Sequence, residues 1–119
     1  MSNRKPLPAA TRKIVYEKYN GHCAYCGKAI KYKDMQVDHI NSVYMKGEDN
    51  DISNLSPACR SCNFYKSTMT VEGFRRQLGL IVERLEKVFI YRLARDYGLI
   101  SEDKKDIIFY FEEVKNERV

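Results

Sequence analysis

No run of this chain approaches the roughly 20 consecutive apolar residues of a membrane span, and the N-terminal stretch MSNRKPLPAATRK lacks the apolar centre of a secretory signal. Both absences point to a cytoplasmic protein with no membrane partner. Internal repeats and low-complexity tracts are missing too, so neither a solenoid nor a biased linker is expected. Proline is scarce: Pro6 and Pro8 sit in a polar, flexible arm, residues 1–8, and Pro57 stands alone further on. Histidine occurs only at positions 22 and 39. What remains, 44% hydrophobic and 31% charged residues, is the composition of an ordinary soluble globular protein. Its 119 residues make a single domain, 1–119, whose modest core would gain from a structural metal.

The charge is uneven. A net +5 and a pI near 9.0 favour an anionic partner, of which nucleic acid is the commonest. Basic residues cluster around two cysteine pairs: Arg12, Lys13, Lys18, Lys28, Lys31 and Lys33 near the first, Arg60 and Lys66 near the second. In a reducing cytosol, four cysteines spaced as two close pairs read as metal ligands rather than disulfides.

Hydrophobic periodicity sets the expected elements. Ala9 to Asn20 reads as a short amphipathic helix closed by Asn20-Gly21. Cys23 to Gly27 is a tight turn, Ala29 to Tyr32 a short strand, and Met35 to Ile40 an alternating strand. That alternation puts Met35, Val37 and His39 on one face and Asp38 on the other. Asn41 to Asp51 is a loop. Leu55 to Ala58 is extended, because Pro57 disfavours helix just before it. A short helix should run from Arg60 to Ser67. Thr70 then caps a long helix ending near Tyr97-Gly98, with Phe74, Leu78, Ile81, Leu85, Val88 and Phe89 at three- and four-residue steps. Residues 106–112, rich in β-branched and aromatic side chains, read as an edge strand. The fold class is α+β, with a core over 16–67, a helical extension over 70–98 and the terminal strand.

Two Cys-x-x-Cys turns, Cys23/Cys26 and Cys59/Cys62, supply the four thiolates of a closed tetrahedral zinc shell. Such a shell leaves no position for water or substrate, so this zinc is structural. Between the pairs lies a polar set suited to cutting a phosphodiester. His39 has a side chain that titrates near neutrality and suits a general base. Asp38 and Asn63 offer hard oxygens for magnesium or manganese. Asn54 either orients His39 or fixes the loop backbone. Lys66, one helical turn after Asn63, would reach phosphate, as would Arg60. His22 adjoins Cys23 and could substitute as a ligand, but it reads first as an exposed histidine without a role.

The run DHI, then NL, then CRSCN with a lysine three residues on resembles the HNH endonuclease family and its ββα-metal (His-Me finger) fold. It is most similar to the small, zinc-stabilised members of phages and their hosts. The resemblance covers about Tyr16 to Lys66, and Glu72-Gly-Phe-Arg is similar to what phage-type members carry. It implies that His39 is the general base, Asp38 and Asn63 bind the catalytic divalent metal, and Asn54 is structural. It implies a DNA endonuclease working in the cytoplasm of a bacterial or phage-infected cell. One letter departs from the pattern: Asn63 stands where the family name has a second His, an HNN variant. Phe64 also occupies a helix position often polar in such sequences.

Two other readings compete. One keeps the fold as a catalytically weak or silent, zinc-stabilised DNA- or protein-binding module. The other makes the helix from Val71 to Asp96 a docking element on a partner. The Asp38-His39 pair favours the enzyme, since a binding module has no use for a general base beside a metal ligand. Symmetric cutting of both strands would need a second chain, which leaves a homodimer open.

Overall fold

The computed structural model describes residues 7–41 and 50–117. Residues 1–6 of the expected arm and 42–49 of the expected loop lie outside the described residues. The chain divides into two units, Met1–Thr70 with Ile108–Val119, and Val71–Ile107. No helix among the described residues is long and apolar enough to cross a membrane.

The first unit is built on a ββα order. Helix α1, Ala9–Glu17, puts Val15 into a core with Met35 and Leu55, joined at its edge by Leu7, Tyr16, Ile30, Val37 and Ile52. The chain leaves α1 through Asn20 and Gly21, both with positive φ (53° and 79°), the left-handed exit that Asn and Gly adopt cheaply. Strands β1, Gln36–His39, and β2, Leu55–Ala58, pair antiparallel, with Val37 opposite Pro57 and Asp38 opposite Ser56. Pro57 has no N–H to give, but its carbonyl accepts the Ala24 N–H at 2.9 Å, tying β2 to the first cysteine turn. Helix α2, Arg60–Lys66, follows directly and packs on β1, while α1 packs on β2. The Cys59 sulfur caps α2 by accepting the Cys62 N–H at 3.4 Å. The two-stranded sheet is therefore covered on both faces, one by the apolar core and one by α2.

Two expected strands are not strands. Ala29 makes only an isolated bridge with His22, and Tyr32–Asp34 forms a 3-10 turn. The Arg12 guanidinium donates to the Tyr32 and Met35 carbonyls, at 2.8 and 3.0 Å, and lies over the Tyr32 ring. Those carbonyls are thereby taken by a cation rather than a neighbouring strand. The segment 106–112 is also corrected: residues 101–109 carry no regular element, and helix α6 runs Tyr110–Glu117. The Glu112 carboxylate reaches back to the Phe109 N–H at 2.9 Å, half of a capping box. The next two N–H groups, of Tyr110 and Phe111, donate to the Tyr25 and Ala24 carbonyls. Helix starts always leave such donors needing partners, and here the cysteine turn supplies them.

The second unit corrects the single long helix into three: α3, Val71–Gly79, α4, Ile81–Leu85, and α5, Phe89–Asp96. Gly79 ends the first, where a residue without a side chain weakens helix by about 1 kcal/mol relative to Ala. Val88 is extended at φ −93°, ψ 124°, which separates the last two. Three- and four-residue spacing fixes a stripe, not the continuity of the backbone beneath it. The expected stop holds. Gly98 has φ 72°, with its N–H bonded to the Arg95 carbonyl and that of Leu99 to the Ala94 carbonyl, the Schellman pattern.

Candidate active site and metal centre

The four cysteine sulfurs lie within 4.8 Å of one another, and none is in a disulfide. The edge of a tetrahedron with 2.3 Å arms is about 3.8 Å long, the geometry of a four-thiolate zinc site. Cys26 Sγ and Cys59 Sγ, one from each turn, stand 3.8 Å apart. Backbone N–H groups of Tyr25 and Cys62 point at Cys23 and Cys59 sulfurs, as they do around bound thiolates. The residues present therefore fit a closed metal shell, and the four cysteines are positioned to bind a metal. Gly27, with φ 82°, closes the first turn; a Cβ there would lie 2.9 Å from the Tyr110 ring. Tyr110 also stacks on His22, which is half-buried rather than the exposed histidine expected.

Asp38 is buried at 4% exposure, on the face of β1 that meets α2. The Tyr25 hydroxyl donates to Asp38 Oδ2 at 2.5 Å, and the Lys66 ammonium lies 3.0 Å from the same oxygen and 3.4 Å from Oδ1. Lys66 also donates to the His39 carbonyl at 3.1 Å. Burial pushes the Asp38 carboxyl above the usual carboxylate range, against the opposite pull of Tyr25 and Lys66. Burial, followed by the Asp38 charge, holds the Tyr25 hydroxyl protonated far above its ordinary range, so it remains a donor.

This arrangement revises one expectation. Lys66 is fully buried, so its ammonium is not on the surface where a phosphate would meet it. Arg12 and Lys18 are also turned inward, Lys18 onto the Ile52 and Leu55 carbonyls at 3.2 and 2.8 Å. Lys13, Lys28, Lys31, Lys33 and Arg60 remain exposed.

His39 ends β1, half-buried, with Nε2 2.9 Å from Asn50 Oδ1. An amide oxygen only accepts, so Nε2 donates and Nδ1 is the basic nitrogen of the neutral ring. Asn54 turns to Asn41. Its side chain takes the Asn41 N–H at 2.9 Å and donates to the Asn41 carbonyl at 3.2 Å, while its own carbonyl accepts from Ile40. Of its two expected roles, the geometry gives the one that fixes the loop backbone. Asn63 precedes Lys66 by one helical turn and so shares its face of α2. Its side chain makes no hydrogen bond among the described residues. Asp38 Oδ1, met there only by Lys66 at 3.4 Å, and the Asn63 amide oxygen are hard donors that fit a magnesium- or manganese-type ion. Phe64, next to Asn63, is 84% exposed.

Sequence reasoning missed Tyr25 and Asn50. Tyr25 is hidden inside Cys23-Ala-Tyr-Cys26, where attention falls on the sulfurs, and no local signal marks its reach to Asp38, 13 residues on. Asn50 lay among the turn formers of a loop.

The structure thus holds a ββα unit with the Asp38-His39 strand end packed against the helix that bears Asn63, beside four cysteines positioned to bind a metal. The model of the HNH endonuclease family matches residues 23–68. The crystal structure of the Type II-C Cas9 enzyme from Actinomyces naeslundii is similar, at 28% identity and a TM-score of 0.54. The likeness covers 64% of this chain but only 8% of that enzyme. No curated protein gives a significant match.

Proposed function

We propose that this chain is a metal-dependent DNA endonuclease, with His39 as general base and Asp38 and Asn63 holding a magnesium or manganese ion. The observation that carries the reading is the bridge from α2 to β1. Lys66 grips Asp38 and the His39 carbonyl, which sets the Asn63 face of the helix against the Asp-His strand end. The bound ion supplies charge neutralisation for the reacting phosphate and the departing oxygen. His39 takes the proton of the attacking water at Nδ1, and Asn50 holds the ring by its other nitrogen. Asn54 keeps the Ile40–Asn41 turn in place behind it. Exposed Arg60 and the lysines around the first cysteine turn meet DNA phosphates, and zinc fills the four-cysteine site in a structural role. Symmetric double-strand cutting would use a homodimer, which light scattering of the full chain would detect.

The test is plasmid nicking with magnesium, with manganese and with EDTA, beside His39→Ala. The variant should keep its zinc, melting temperature and DNA affinity and lose about 10²- to 10⁴-fold in single-turnover rate. A His39→Ala protein that melts early yet cuts normally would make His39 a strand residue. Wild type that binds DNA without cutting would leave the binding-module reading.

A further inference from the structure

We propose that Tyr25 is a positioning residue for the catalytic metal, carrying the geometry of the four-cysteine site to the carboxylate of Asp38. The inference rests on the reading of Asp38 as a metal ligand. Tyr25 lies between Cys23 and Cys26, so any ion held by those sulfurs fixes its backbone on both sides. That backbone is held from outside as well: the Tyr25 carbonyl accepts from Tyr110, the Ala24 carbonyl from Phe111, and the Ala24 N–H donates to Pro57. The ring is buried at 3% exposure, edge-on to Phe109 at 5.3 Å and to Phe111 at 6.2 Å. From that confined ring the hydroxyl meets Asp38 Oδ2 at 2.5 Å.

The consequence lies in the rotation of the carboxylate. The last torsion of an aspartate is broad and roughly two-fold, so an unpinned group exchanges its two oxygens readily. Tyr25 and Lys66 together claim Oδ2, at 2.5 and 3.0 Å, and among the described residues leave Oδ1 with one long contact, to Lys66 at 3.4 Å. Oδ1 is thereby the oxygen offered to a cation. Outer partners of this kind are typically worth about 10- to 100-fold in metal affinity.

The experiment compares wild type, Tyr25→Phe and Asp38→Ala as zinc-loaded full-length chains. Zinc content and melting are measured first, then manganese binding without DNA by calorimetry, then the metal dependence of single-turnover nicking. Tyr25→Phe keeps the ring packing, so zinc should stay. Its manganese affinity should fall about 10- to 100-fold, with the cleavage rate recovering toward wild type at saturating manganese. A purely structural role would not produce that split between affinity and maximal rate. Wild-type manganese affinity in folded, zinc-loaded Tyr25→Phe overturns the proposal, provided Asp38→Ala has lost binding. If Asp38→Ala binds manganese like wild type, the ligand assignment of Asp38 is what fails, and this inference falls with it. Should Tyr25→Phe lose zinc or fold, the double variant Tyr25→Phe/Asp38→Asn decides. Recovery of the zinc-loaded fold shows that the damage came from a carboxylate stripped of its donor, as proposed. Continued unfolding shows that the hydroxyl serves the cysteine turn itself and overturns it.

Discussion

The unit made of Met1–Thr70 and Ile108–Val119 and the unit Val71–Ile107 spend their apolar side chains in opposite ways. In the first, Val15, Tyr25, Met35, Leu55 and Phe109 are buried, together with a lysine and an aspartate. In the second, Phe74 is buried, whereas Phe89, Ile90, Tyr97 and Leu99 are 64–77% exposed. The first unit adds two long-range fastenings to a small core, a four-cysteine metal site and a buried ion pair. Each joins segments more than 25 residues apart, Cys23/Cys26 to Cys59/Cys62 and Asp38 to Lys66. The second unit has no such buried fastening among the described residues, although Arg75 donates to the Ile107 carbonyl at 2.6 Å. Its ion pairs, Arg75 with Glu72 and Arg95 with Glu86 and Glu102, are exposed or half-exposed, and such pairs contribute about 0–1 kcal/mol each. A small unit therefore gains order from cross-links that its core could not supply, and a helical one can do without them at low local stability.

The sharpest break of this contrast is at the metal. Cys59→Ser should cost on the order of 10 kcal/mol of metal-coupled folding free energy. Hydrogen exchange should show β1 and β2 losing protection while amides of α5 change little. Equal loss in both units would mean that the second depends on the first. A well-folded, zinc-free protein would remove the structural metal from the account altogether.

The ion pair comes next. Lys66→Ala leaves Asp38 buried and without its cation, which should destabilise the chain by about 3–5 kcal/mol. Pairing it with Asp38→Asn should recover much of that loss in a melting experiment. Lys66→Ala that melts like wild type but binds DNA weakly would restore the phosphate role that burial argues against.

The smallest effect belongs to the second unit. The Tyr91 hydroxyl donates to Glu102 at 2.8 Å and, ahead of Arg95, holds its carboxyl below the ordinary glutamate range. A lowered folded pKa means that the unfolded chain takes up its proton first. This contribution is therefore complete above the ordinary glutamate range and is lost as pH falls through the lowered folded value. Tyr91→Phe should flatten that acid dependence in hydrogen exchange of α5, with no change in β1. An unaltered acid limb would assign it to other carboxylates.

The sequence by itself determined the cysteine cluster and the frame. The two Cys-x-x-Cys pairs are legible because metal chemistry demands particular donor atoms at short, recurring spacings. The β1–β2–α2 order is legible because alternation, Pro57 and the Cys59 cap act within a few residues. The stop at Gly98 is legible for the same reason. Tertiary structure alone decided that Lys66 turns inward to Asp38, that Asn54 fixes Asn41, and that 110–117 is helix despite its β-rich start. It also decided that Tyr25 reaches Asp38. In each case the partner lies 13 to 87 residues away along the chain. A buried charge or an orphan N–H takes whichever partner folding brings within about 3 Å, and no local pattern records which one that will be.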